Sequence, residues 1–240
     1  MALTMKRCFS LLLILTTSCT HVVFVTTGDE TESLGEMGTD PGSSTEPEPF
    51  CGNGHIDPGE ECDDRSFRCR DCLYLRLAFL SSLPLPGKMG PDAEENLRKA
   101  DALCQDLAVQ GGLALAQSGR IFRAWLSTAQ VATWSRLSLG EGSYSLPTGE
   151  IVAHKGSELF SGTLEHAIDV SEDGGVSVET LVWTGTLAGG GSHASTCSGW
   201  TSEEVKGSVG WSGYRDPRWS QAGLAPCGDA YPIYCVETIE

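Results

Sequence analysis

The chain has 240 residues, enough for one large domain or a small one beside a medium one. Its formal charge of -16 has the wrong sign for gripping a phosphate backbone, which argues against nucleic acid, and its ten cysteines are too many for a reducing cytosol. Hydrophobic content of 40% with six Trp supports a core, while 29 Gly and 11 Pro point to turns and short strands rather than long helices.

Lys6 and Arg7 precede an apolar run from Phe9 to Leu15, followed by small residues Thr16, Thr17 and Ser18. This is the charge, apolar core and cleavage order of an export signal, which assigns residues 1–18 to a signal peptide. The run is too short to span a bilayer, which needs about 20 apolar residues. Cys19 after Thr-Thr-Ser resembles a bacterial lipobox, although Leu15 lies one place further from the cysteine than usual. The resemblance implies acylation of Cys19, and Thr20 after it implies sorting to the outer membrane; ordinary cleavage nearby is the alternative. Residues 19–50 are rich in Thr, Gly, Ser, Pro and Glu. They carry Asp29, Glu30, Glu32, Glu36, Asp40, Glu46 and Glu48 with no Lys or Arg. Such a composition cannot bury enough surface to offset chain entropy and reads as a disordered acidic tether spanning about 30 Å.

A small cysteine-rich module is expected over residues 51–72. Cys51-Gly-Asn-Gly-His-Ile-Asp-Pro-Gly-Glu-Glu-Cys62-Asp-Asp, with Cys69 and Cys72 beyond it, resembles the myxococcal cysteine-rich repeat family, shortened by Arg65 and Ser66 after Asp64. So short a segment cannot build a core, and two disulfides among Cys51, Cys62, Cys69 and Cys72 substitute for one. Spacing does not choose among the three pairings. The Cys69-x2-Cys72 pair also has the spacing of a zinc knuckle, which an oxidising compartment disfavours. Asp57, Glu60, Asp63 and Asp64 crowd carboxylate oxygens near Asn53 and form a candidate calcium site, set against the plainer reading of a solvated acidic turn. No other cofactor is expected.

Residues 73–240 are sized for one domain. Leu73 to Leu80 reads as a strand. Asp92 with Glu95 forms a capping box opening a helix that stops at Gly111-Gly112, and Leu97, Ala100, Cys104 and Leu107 share its buried face. Ile121 to Leu126 reads as a strand, Ser127-x-x-Gln130 as the cap of a short helix containing Val131 and Trp134, and short strands are expected at 151–153, 180–183 and 233–236. Trp125, Trp134 and Trp183 sit in apolar contexts and are expected in the core.

In the same order, Ala100-Asp-Ala-Leu-Cys104-Gln, Phe122-Arg-Ala-Trp-Leu-Ser127, Glu158-Leu-Phe-Ser-Gly162, Val182-Trp-Thr-Gly185, Cys197-Ser-Gly-Trp-Thr201 and Tyr231-Pro-Ile-Tyr-Cys235-Val-Glu237 resemble endostatin and, with it, the C-type lectin-like fold. The resemblance implies an α+β, disulfide-bonded domain with bridges Cys104–Cys235 and Cys197–Cys227. It also implies a ligand-contacting loop region between Cys197 and Cys227, which offers Trp200, Trp211, Tyr214 and Trp219. Packing beneath the loops is the competing reading for these rings. Basic residues are few and scattered, so heparin-type polyanions are not expected partners. The Glu-Pro-Asn and Trp-Asn-Asp triplets of calcium-dependent sugar binding are missing; Trp200-Thr201-Ser202 has no carboxylate.

His21, His55, His154, His166 and His193 are not spaced as metal ligands, and Ser192 beside His193 lies on a glycine-rich tip rather than in a nucleophile motif. The expectation is a non-catalytic lipoprotein of the outer membrane, at the cell surface or in the periplasm. It would bind an extracellular protein or glycan and touch the membrane through its lipid alone. The alternatives are a structural envelope component without a discrete ligand and, further behind, a secreted hydrolase with an unrecognised site.

Overall fold

The computed structural model describes residues 51–239 except 65, 67, 115–118 and 178. The expected signal peptide, Cys19 lipidation and tether lie outside the described residues. Those described belong to one compact unit, Pro47–Glu240, of mixed α+β character with mostly short strands and few helices.

The cysteine module is a nest of two bridges, with Cys62–Cys69 inside Cys51–Cys72. Its hairpin pairs β1 (Cys69–Arg70) with β2 (Leu73–Tyr74) around Asp71 and Cys72, whose φ of 52° and 62° give the left-handed pair that a two-residue turn needs. No linker separates the module from the larger domain. The Leu75 amide donates to the Arg68 carbonyl at 2.6 Å, and Glu61 accepts from Arg76 at 2.8 and 3.0 Å.

Residues 73–80 form two strands rather than one, β2 and then β3 (Arg76–Leu80). β4 (Leu85–Pro86) follows, then α1 (Ala93–Gln110), β5 (Ile121–Ala124), α2 (Thr133–Arg136), β6 (Tyr144–Ser145), β7 (Ile151–Ala153) and α3 (Gly156–Leu159). The second half holds β8 (Leu181–Trp183), α4 (Cys197–Trp200), β9 (Lys206–Trp211), a 3-10 turn at Pro217–Trp219, β10 (Gly223–Pro226), β11 (Ala230–Tyr231) and β12 (Tyr234–Thr238).

A five-stranded sheet runs β5-β12-β3-β6-β7, with β12 antiparallel to both neighbours and β3 parallel to β6. A three-stranded antiparallel sheet runs β10-β9-β8, and β11 pairs with β4. The larger sheet is buried on both faces, which is why Leu77 to Leu80 reads as an unbroken apolar run. Alternation along β3 sends Phe79 to the core beneath α1, with Leu97, Cys104, Leu107 and Phe122, and sends Ala78 and Leu80 to a second core with Trp125, Tyr144, Ile168 and Trp219.

Helix α1 begins as the capping box requires, with the Glu95 amide donating to Asp92 Oδ1 at 2.8 Å. Its face of Leu97, Ala100, Cys104 and Leu107 is buried against β5 and β12. The next helix departs from expectation. It starts at Thr133, and neither Ser127 nor Val131 belongs to it. Ser127 is buried in a hydroxyl cluster with Thr133 and Thr186, its Oγ taking the Thr133 amide at 2.9 Å, while Thr128 Oγ1 accepts from Gln130 and Val131. Trp134, expected in the core, is 60% exposed, because the turn starts late and puts Thr133 inward instead.

Candidate functional site

The region between Cys197 and Cys227 is closed by the bridge joining those two residues, and Cys104–Cys235 ties α1 to β12. It opens on an unusual piece of backbone. Cys197, Ser198, Gly199 and Trp200 all have positive φ, from 51° to 74°, so α4 is a single left-handed turn. Several contacts hold that conformation together. Thr196 caps it through the Gly199 amide, Cys197 is cross-linked, and the Trp200 indole donates to the Ser127 carbonyl at 2.9 Å.

The four candidate contact residues divide two and two. Trp200 and Trp219 are fully buried at 0% exposure, so they cannot meet a ligand and are corrected to core positions. Trp200 packs edge-on against Trp183, and Trp219 lies between Trp125 and Tyr234 with ring centroids 4.8 and 5.4 Å away. The physical reason is local: each sits on a tight turn, α4 or the 3-10 turn, that directs its ring beneath the strands.

Trp211 and Tyr214 are half-buried and reach the surface. Trp211 ends β9, opposite Leu181 of β8, and its ring stands at 79° to Tyr214 with centroids 5.9 Å apart. The Arg218 guanidinium lies 3.7 Å over the Tyr214 ring and binds both carboxylate oxygens of Asp216. The Arg218 side chain and amide hold the Asp216 carboxyl down at about 2, so the pair stays ionised. The result is a surface patch in which the Tyr214 ring contacts both the Trp211 ring and the Arg218 guanidinium. Arg218 and Asp216 escaped the sequence reading; their separation by the single residue Pro217, which fixes the turn, is the signal that could have revealed them.

The candidate calcium residues each accept hydrogen bonds from neighbouring groups of their own segment. Asp63 accepts from the amides of Gly52, Asn53 and Gly54, Asp57 from Asn53 Nδ2 at 2.8 Å, Glu60 from the Asp57 amide at 2.9 Å and Asp64 from the Ser66 amide at 2.9 Å. They do not converge: among the described residues, the ligating atoms that come together are those of Asp63, Cys51 and Cys72, and the two sulfurs are bonded to each other. Of the histidines, His193 Nδ1 accepts from the Ser195 amide at 2.9 Å, His166 Nδ1 lies 2.9 Å from the Ala167 carbonyl oxygen, and His154 is exposed. His21 lies outside the described residues.

Comparison with known proteins supplies no template for this surface: no protein-family model matches the chain, and no curated protein matches it.

Proposed function

We propose that the chain is an exported, non-catalytic surface lipoprotein with a C-type lectin-like, endostatin-like domain. In this reading the domain binds an extracellular partner, protein or glycan, through the face formed by Trp211, Tyr214 and Arg218. The observation that carries the reading is this triad itself: two aromatic rings and a guanidinium, the side chains that dominate binding hot spots, locked in mutual contact at the surface. Four disulfides support an oxidising destination. The pairing of β3 with the last strand, β12, and of helix α1 with β12 through Cys104–Cys235, supports the lectin-like reading of the domain.

The test is binding of the full chain to glycan arrays and cell-surface extracts, with Trp211→Ala and Tyr214→Ala beside the unaltered protein. Saturable binding that falls at least about tenfold in both variants, at unchanged folding, is the expected result. Equal binding by the variants overturns the assignment of this face. Absence of any saturable partner turns the reading toward a structural envelope component.

A further inference from the structure

A second surface lies at the junction of the cysteine module with the sheet, where a cavity of about 440 Å³ is lined by Arg68, Arg76, Arg120, Glu61, Glu237 and Tyr74, among others. It gathers three guanidiniums in a chain whose overall charge is -16.

The two carboxylates are already committed. Glu61 is gripped by Arg76 through both oxygens at 2.8 and 3.0 Å and also accepts from the Tyr74 amide at 3.1 Å. Glu237 takes Arg120 Nε at 2.8 Å, a second Arg120 nitrogen, and the Leu77 amide at 2.9 Å. Among the described residues of the cavity, Arg68 is the cation left over. It reaches Glu237 at 3.5 Å only, its side chain is 29% exposed, and its buried Nε has no hydrogen-bond partner. Burial and the Arg120 charge both push Arg68 down from the ordinary arginine value, the mark of a cation short of counter-charge.

We infer that this cavity binds the carboxylate of a small organic monoanion, with Arg68 as the residue that receives it. Among the described lining residues three guanidiniums face two carboxylates, and the one surplus positive charge fits one negative charge, whereas a dianion would exceed it. The Arg68 guanidinium lines the cavity with its side chain 29% exposed, and its planar edge matches a planar carboxylate with two parallel hydrogen bonds. The Tyr74 ring, 6.0 Å from the same guanidinium, gives the ligand body an aromatic wall, and the volume falls within the range usual for small-molecule sites. The site is separate from the Trp211 face and does not depend on it.

The experiment is calorimetric titration of the full chain with benzoate and D-glucuronate, against benzamide and D-glucose as uncharged counterparts and inorganic phosphate as a dianion. Saturable binding of at least one carboxylate at one site per chain is expected, at least about tenfold tighter than its uncharged counterpart and weakening with added salt. Arg68→Gln should weaken it at least about tenfold, while Arg218→Gln and Trp211→Ala leave it unchanged. A second readout needs no variant: the Arg68 Nε–H resonance should shift along the carboxylate titration. No saturable carboxylate binding, phosphate binding tighter than either carboxylate, an Arg68 resonance that does not move, or a folded Arg68→Gln chain that binds as before would each overturn the inference.

Discussion

Trp200 and Trp211 sit in the same glycine-rich stretch, and nothing in their immediate neighbours distinguishes an inward ring from an outward one. Period is what normally makes that distinction, and tight turns erase it. The consequence is measurable. Trp200→Ala should cost about 3–5 kcal/mol in chemical denaturation, since it empties a buried site and orphans the Ser127 carbonyl. Trp211→Ala should cost less than about 1 kcal/mol and change binding instead; comparable losses for both would show that Trp211 is structural. Asp63 was legible as an acidic residue in a turn, but its task was not. Burial alone would raise its carboxyl, and hydrogen bonds from the amides of Gly52, Gly54, Asn53 and His55 outweigh this and hold it below the usual carboxylate range. A depressed carboxyl contributes to stability above the ordinary range and loses that contribution as pH falls through its own lowered value. Hydrogen-exchange protection of the Gly52 and Gly54 amides should therefore persist through the ordinary carboxylate range and be lost only below it. Loss already above about pH 5 would contradict the assignment.

At the scale of elements, α1 was readable almost to its ends because three signals agree: a capping residue, a 3-4-3 apolar step and a terminal glycine pair. Asp92→Ala should cost about 1 kcal/mol, read from thermal or denaturant unfolding, because it removes the acceptor for the Glu95 amide. Strands of two residues such as β4, β6 and β11 show no alternation at all, so they and the order β5-β12-β3-β6-β7 were beyond reach of the sequence. The short α2 was misplaced because Ser127 and Thr128 have a cap's chemistry but spend it on a buried hydroxyl cluster and a turn. The left-handed α4 left only one trace, the glycine at 199. Gly199 has φ 74°, and a Cβ added there would meet the Ala93 Cβ at 2.7 Å, so it serves both a left-handed backbone and a close approach to α1. Gly199→Ala should therefore destabilise by about 1–2 kcal/mol or more, with reduced helical signal from α1; a neutral effect would mean that the turn relaxes freely.

Across the whole molecule, cross-links do much of what period and propensity do elsewhere. The pairing Cys104–Cys235, separated by 131 residues, was implied by resemblance alone, whereas the nesting of Cys62–Cys69 within Cys51–Cys72 could not be chosen from spacing. Opening Cys104–Cys235 by paired serine substitution should cost about 2–5 kcal/mol, measured against the unaltered chain under non-reducing conditions. A negligible change would mean that the sheet alone fastens α1. The intact mass with and without reductant should differ by two hydrogens for each of the four bridges, and the same spectrum would report any acyl groups on Cys19. β12 lies between β5 and β3, and Cys235 on it is the partner of the helix. A polypeptide emerging amino end first must therefore wait for residues 234–238 before its central seam can close. Until that moment β5 and β3 have no strand between them and Cys104 has no partner, and clipping those few residues should leave a chain that never reaches its native fold.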